Sequence, residues 1–265
     1  MIAALPMYLS APEQSEALWS WLAQWLRDAD VPSVPATLTW PSDYPAHWQH
    51  PDLLLSQACG YPLLELLDGR VQLLGTFHYR ATGCDGPNYR SLLVARADDA
   101  RSELADFRAA RVAYNSTDSQ SGYNTLRALV APLARQGRFF ADRVESGGHS
   151  RSLELIRAGA ADLAAIDCVS LALLQRHQPD ALAGIKIVGQ SASAPALPLI
   201  TSQATPATTV QQLRGALKAA MRAPALAEVR EALLIEDFEA LPWSAYDICR
   251  VMKAEALALG YPALR

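Results

Sequence analysis

The run Asn115-Ser116-Thr117-Asp118-Ser119-Gln120-Ser121-Gly122-Tyr123-Asn124 concentrates hydroxyl side chains where an apolar strand gives way to a helical pattern. Hydroxyls and backbone N–H groups at a helix start can hold a phosphate-like or carboxylate anion without any lysine. The same serines also suit a capping loop that satisfies the helix's own donors. A second junction, Ser146-Gly147-Gly148-His149, pairs glycines that admit a close backbone approach with an imidazole able to donate to an anion. Asp167 ends the apolar run Leu163–Ile166, the place where ligands of open α/β sheets bind, and it equally suits an N-cap for the helix after it. Ser56-Gln57-Ala58-Cys59-Gly60-Tyr61 is a fourth strand-to-helix junction.

Catalytic chemistry finds less support. Cys59 has no histidine marked as its base. His47-x-x-His50 is followed at once by Pro51 and lacks an acidic or cysteine partner at ligand spacing, so no metal site is expected. Neither G-x-G-x-x-G, G-x-x-x-x-G-K-[ST] nor G-x-S-x-G occurs. The expectation is a binding protein with no catalytic residues and no cofactor.

These junctions need strands that alternate with helices, and the chain supplies them. Residues 2–8 read as a strand, and Ser10 with Glu13 has capping-box spacing ahead of a helix carrying Leu18, Leu22, Trp25 and Leu26 on one face. Further strands are expected at 36–40, 52–55, 71–79, 89–96, 111–115, 163–166 and 185–188, with helices between several of them and a mostly helical stretch from Thr209 onward. The pattern predicts an α/β architecture with mainly parallel strands. The Gly/Pro-rich loop 81–88 and the proline-rich piece around Pro195 and Pro198 read as crossings between two lobes. Lobe 1 is then residues 1–85 plus 192–265, and lobe 2 is residues 86–191.

Composition narrows the function classes. With 23 Lys+Arg against 27 Asp+Glu the net charge is −4, which argues against a dedicated nucleic-acid or anionic-membrane binder. At 51% hydrophobic and 19% charged residues, 265 residues can bury a large core. No apolar run is long enough to span a bilayer. The start Met1–Tyr8 has no basic region and is broken by Pro6, so it does not read as a secretory signal. Four cysteines, Cys59, Cys84, Cys168 and Cys249, have no C-x-x-C spacing and are expected as free, mostly buried thiols.

Taken together, Asp118-Ser119-Gln120-Ser121-Gly122-Tyr123, Gly147-Gly148-His149 with Ser152-Leu153, and Ala161-Asp162-Leu163-Ala164-Ala165-Ile166-Asp167 resemble the substrate-binding proteins of phosphonate, phosphite and phosphate ABC transporters. Residues 83–91 and 195–201 resemble that family's two crossing regions. The resemblance covers roughly residues 50–205. It implies a type 2 periplasmic-binding-protein fold, two α/β lobes with a ligand cleft between them, closing on a small oxyanion. It also implies that Ser119 and Ser121 clamp phosphonyl oxygens, with Gly122 in the same turn and Gln120 standing where a hydroxyl residue is common. His149 carries over as the family's histidine. Asp167 carries over as the acid suited to a substrate amine or a shared proton. Tyr89 and Tyr61 are aromatic-wall candidates, and the junction that begins at Ser56, lying between a strand and a helix of the other lobe, is expected to face the cleft across from the serine loop. A small anionic ligand, an ABC permease partner, a monomeric state and a periplasmic location follow from the resemblance, while the lack of a leader keeps a cytoplasmic location open. The alternative is a cytoplasmic sensor, or an enzyme on the same fold acting on a small phosphorylated or heterocyclic metabolite.

Overall fold

A computed structural model describes residues 1–265. Its strands are β1 (Ile2–Ala4), β2 (Leu53–Gln57), β3 (Val71–Tyr79), β4 (Asn88–Tyr89), β5 (Ser91–Arg96), β6 (Arg111–Tyr114), β7 (Asp142–Glu145), β8 (Leu163–Asp167), β9 (Ile185–Gln190), β10 (Ala194–Pro195), β11 (Pro198–Ser202) and β12 (Ile235–Glu239). Its α-helices are α1 (Pro12–Asp28), α2 (Tyr44–Trp48), α3 (Gly60–Glu65), α4 (Thr125–Val130), α5 (His149–Arg157), α6 (Cys168–His177), α7 (Ala207–Ala220), α8 (Ala227–Ala232) and α9 (Asp247–Ala258). The chain divides into two units. The first is Met1–Arg80 with Asp85–Asn88 and Pro195–Ala245; the second is Ala81–Cys84 with Tyr89–Ala194 and Tyr246–Arg265.

In the first unit the sheet order is β1-β2-β11-β3-β12. β1 lies parallel to β2, and β11 is antiparallel to both β2 and β3, so β1, β2 and β3 run the same way. Every residue of β2 is buried, which explains its unbroken Leu-Leu-Leu start: a strand covered on both faces has no solvent side to alternate with. α1 buries Leu18, Trp19, Leu22, Ala23 and Leu26, a helical stripe that packs with α7, where Val210, Leu213 and Leu217 are buried at the same period.

In the second unit the order is β7-β6-β8-β5-β9. β6 is parallel to both β7 and β8, and β5 is antiparallel to its neighbours β8 and β9. The core gathers Leu93, Phe107, Val112, Leu126, Phe139 and Leu163, and the chain's last residues close it: Tyr261 and Leu264 are fully buried there. The backbone N–H groups of Phe139 and Phe140 donate to the Arg265 carbonyl at 2.6 and 3.1 Å, and Arg143 donates to the Leu264 carbonyl at 2.9 Å.

Several expectations need correction. The sheets are mixed rather than mainly parallel, because β5, β11 and β12 each run against their neighbours. Residues 36–40 form no strand; Thr39 N–H donates to the Ala3 carbonyl at 2.7 Å, and Leu38 N–H and Trp40 Nε1–H donate to the Glu16 carboxylate at 3.2 and 3.1 Å. The capping box of Ser10 and Glu13 does not form. Pro12 occupies the first helical position, where its fixed φ sets the start, so Ala11 is the cap residue and Ser10 falls one residue outside. Strand β12 lies within the stretch read as helical, and β7 was not anticipated: an edge strand of sequence Asp-Arg-Val-Glu, largely exposed, carries no apolar alternation. The sequence places 192–265 whole in the first lobe, whereas Tyr246–Arg265 packs with the second unit through Cys249, Met252, Ala256, Tyr261 and Leu264. No helix is long and apolar enough to cross a membrane.

Candidate functional site

Three helix starts follow three adjacent parallel strands of the second unit. Gln120 comes after β6, His149 after β7 and Cys168 after β8, so the loops before them lie side by side at the strands' C-terminal ends. The Ser146–Gly148 loop is tied to the end of β6: Ser146 N–H donates to the Tyr114 carbonyl and Gly147 N–H to the Asn115 carbonyl, both at 2.8 Å. Ser146 Oγ adds bonds to the Tyr114 carbonyl at 3.1 Å and to Ser152 Oγ at 2.7 Å. These bonds fix where α5 begins and therefore where His149 stands.

The serine loop opens as a single wide π-turn, Gln120–Asn124, in which Asn124 N–H reaches back to the Ser119 carbonyl at 3.0 Å. Wide turns of this kind are rare and gather at functional sites. Ser119 caps the turn, its Oγ accepting the Gly122 N–H at 3.0 Å. The Ser121 carbonyl is held by two hydroxyls, Ser91 Oγ and Thr125 Oγ1, each at 2.8 Å. Gly122 is required by contact: a Cβ there would stand 2.0 Å from Asn115 Oδ1. Asn115 itself was not among the expected site residues, yet its buried Oδ1 accepts no hydrogen bond. A polar residue ending a strand, with a glycine seven positions on, was the available signal.

The Ser121 side chain meets His149. Its Oγ lies 2.9 Å from Nε2, and the same nitrogen lies 3.3 Å from Asp167 Oδ2. Asp167 caps α6, accepting Ser170 N–H at 2.8 Å and Ser170 Oγ–H at 2.5 Å. Burial holds the imidazole below its ordinary pKa, opposed by the neighbouring Asp167 charge. We assign the neutral ring its proton on Nε2, where the carboxylate can accept it; Nδ1 is buried and has no partner. The Nε2–H is then shared between Asp167 and Ser121. Both serine oxygens, Ser119 on the Gly122 N–H and Ser121 on the imidazole N–H, thus act as acceptors within the protein, and each hydroxyl keeps its own proton to donate.

Ser, His and Asp converge here without forming a nucleophile relay. A relay needs the serine on one ring nitrogen and the carboxylate on the other, so that a proton can pass along. In this site both partners share Nε2, and the arrangement orients a hydrogen-bond donor.

The structure brings together Ser119, Gln120, Ser121, Gly122, His149 and Asp167 in the second unit. Gln120 has partners of its own within the second unit. Its side chain is fully buried, with Nε2 donating to Met252 Sδ at 3.2 Å and Oε1 accepting from Asn124 at 2.8 Å, so it ties the turn to α9. Tyr89, on β4, is 3% exposed. Ser56 and Tyr61 belong to the first unit. Ser56 is fully buried and donates to the Gln57 carbonyl at 3.0 Å, and Tyr61 lies in α3 at 8% exposure. At that unit's strand ends the more connected residue is Gln57, which the sequence did not single out. Its Nε2 reaches the Tyr79 hydroxyl at 3.2 Å, and Tyr79 packs edge-on to Tyr8 with ring centroids 5.4 Å apart. His50 Nδ1 accepts the Asp52 N–H at 3.1 Å, which gives the His47–His50 pair a turn-forming role. No group of three His, Cys, Asp or Glu side chains is arranged to hold a metal ion.

Residues 2–246 match the sequence profile of a family described as the phosphonate periplasmic substrate-binding proteins of ABC transporters. Among solved structures, a binding-protein component of an ABC phosphonate transporter from Pseudomonas aeruginosa superposes with a TM-score of 0.77 at 15% identity, over 98% of this chain and 88% of that one. PhnD1 of Prochlorococcus marinus, solved in complex with methylphosphonate, gives 0.77 at 11% identity over 96% of both chains. XAC2383 of Xanthomonas citri, solved with ATP, gives 0.72 at 15% identity over 98% of both. A search of curated proteins found no match.

Proposed function

The chain belongs to the phosphonate-binding periplasmic substrate-binding proteins of ABC transporters, and on that premise we propose that its second unit grips the phosphonyl oxygens of a small phosphonate. The chain is a solute-binding protein of ABC-type uptake with the two-lobed fold of its neighbours. Ser119 and Ser121 donate their hydroxyl protons to the ligand, the N–H groups at the start of the helix supply further donors, and His149 with Asp167 holds Ser121 in orientation. The observation that carries this reading is the pair of acceptor-loaded hydroxyls at one helix start. A desolvated site of oriented donors suits a compact oxyanion.

The same geometry refines the ligand. Both Asp167 oxygens already accept hydrogen bonds from Ser170, and one also meets His149. The carboxylate therefore positions the imidazole and does not wait for a substrate amine, so a simple alkylphosphonate fits better than an aminoalkylphosphonate. The methylphosphonate complex of the P. marinus protein supports this choice. Binding requires no covalent step. The working location is the periplasm and the partner an ABC permease, as for the family.

Thermal shift against methylphosphonate, 2-aminoethylphosphonate, phosphite, phosphate and sulfate tests the reading. A ligand at 100 times its Kd adds about 2.7 kcal/mol to stability, or roughly 5–10 °C in Tm for a chain of this size. Methylphosphonate is expected to give the largest rise. A flat response across the panel overturns the phosphonate reading, and a larger response to 2-aminoethylphosphonate returns Asp167 to amine recognition.

A further inference from the structure

Cys84 and Cys168 stand with their sulfurs 3.5 Å apart, although 84 residues separate them in sequence. Each is placed by its own anchors. Cys168 is the first residue of α6, its N–H donating to the Arg90 carbonyl at 2.9 Å, and its neighbour Asp167 pairs with Ser91 across β8 and β5. Cys84 closes a turn on the Ala81 carbonyl at 2.9 Å. That turn sits directly on Cys168: a Cβ on Gly83 would stand 3.2 Å from Cys168 Cβ and 3.3 Å from its Sγ, a tight fit, and the backbone there has φ +103°, which favours glycine. Both cysteines belong to the second unit, and the sulfurs need to approach by only about 1.5 Å to reach bonding distance. Cys59 lies in the first unit and Cys249 is fully buried on α9.

We propose that Cys84 and Cys168 are a redox-active dithiol that forms an intramolecular disulfide by exchange with an external disulfide. Cys84 is the partly exposed member and Cys168 the buried one, so the oxidant reaches Cys84. Cys84 gives its proton to water and attacks one sulfur of the external disulfide as a thiolate; the S–S bond breaks and the other sulfur leaves as a thiolate that takes up a proton. Cys168 then attacks the Cys84 sulfur, releasing the second external thiol, to which its proton moves. Two protein thiols are oxidised and one external disulfide is reduced to two thiols. The contact between the two sulfurs raises the Cys84 pKa and lowers that of Cys168 against the effect of burial. The family's periplasmic compartment is oxidising, which favours the closed form.

The link would fasten the segment that leads out of β3 to the residue immediately after Asp167. The test treats the full chain with oxidised glutathione, quenches with acid, unfolds, alkylates and reads intact and peptide masses. Two of the four thiols should escape alkylation, with a single crosslinked peptide joining Cys84 to Cys168. Oxidised protein should also melt on the order of 5–10 °C above the dithiothreitol-reduced form. The Cys84→Ser and Cys168→Ser variants should each lose both the crosslink and the Tm difference. Alkylation of all four thiols after oxidation, a crosslink to Cys59 or Cys249, or glutathione adducts alone would overturn the proposal. No ligand enters this test, so it stands or falls separately from the phosphonate reading.

Discussion

Ser121 Oγ and His149 Nε2 lie 2.9 Å apart, and the nitrogen that meets the serine is the one that meets Asp167. With the ring proton assigned to Nε2, the carboxylate keeps the ring a donor toward Ser121 and leaves the serine its own proton to donate.

The first consequence concerns affinity. Ser121→Ala removes one charge-assisted donor from a desolvated site and should weaken phosphonate binding by about 1–3 kcal/mol, roughly 5- to 150-fold in Kd. Calorimetric titration of wild type and variant checks it; an unchanged Kd reduces Ser121 to a partner for His149.

The second concerns pH. His149 has a folded pKa below its unfolded value near 6.5. As pH falls below about 6.5 the unfolded chain takes up a proton that the folded chain refuses, so stability declines until pH reaches the folded pKa. His47, also lowered by burial, adds to the same slope. Asp99 works in a separate window: hydrogen-bonded by Arg101 it is held at about 2, so its contribution is present above pH 4 and lost only as pH falls toward 2. His149→Gln should flatten the Tm profile between pH 6.5 and 5 and leave the acid limb unaltered. An unchanged slope would mean that the ring titrates alike in the folded and unfolded chains, and a steeper one that it is charged in the folded protein.

Much of this site was visible in the sequence. Ser119, Ser121, His149 and Asp167 sit at strand-to-helix junctions, and parallel neighbours bring such junctions together whatever the loop details. The role of Gln120 was not visible, because its partners Met252 and Asn124 come from a distant helix and from the next turn. Strand β12 was hidden for a related reason: Ile235-Glu236-Asp237-Phe238-Glu239 reads as a fragment of the helices on either side until β3 pairs with it. The Cys84–Cys168 contact depends on two loops meeting in space, which no spacing rule reports.

A third prediction follows from the packing beneath the serine turn. Gly122→Ala drives a methyl into Asn115 Oδ1, and the expected loss is about 1–3 kcal/mol of stability. Asn115→Ala alone should cost little, since that Oδ1 accepts no bond. The double variant should recover most of the loss, because the backbone N of residue 115 stands at an ordinary 3.4 Å from the new Cβ. Chemical denaturation of the four proteins measures the coupling, and strict additivity would show that the strain lies elsewhere.

A fourth concerns the C-terminal segment. Leu264 is fully buried in the second unit's core, so Leu264→Ala should cost about 2–5 kcal/mol. Hydrogen exchange should show the loss in β6, β7 and α4, with the first unit's sheet protected as before. Uniform loss across both units would mean that the chain unfolds as one block.

The same segment sets a timetable for biosynthesis. Residues 81–194 supply all five strands of the second unit, but the core they enclose stays open on one side until Tyr261 and Leu264 have been translated. A nascent chain halted before residue 261 lacks the residues that bond Phe139 and Phe140 and complete this core, and a partially made copy is a natural client for holding chaperones.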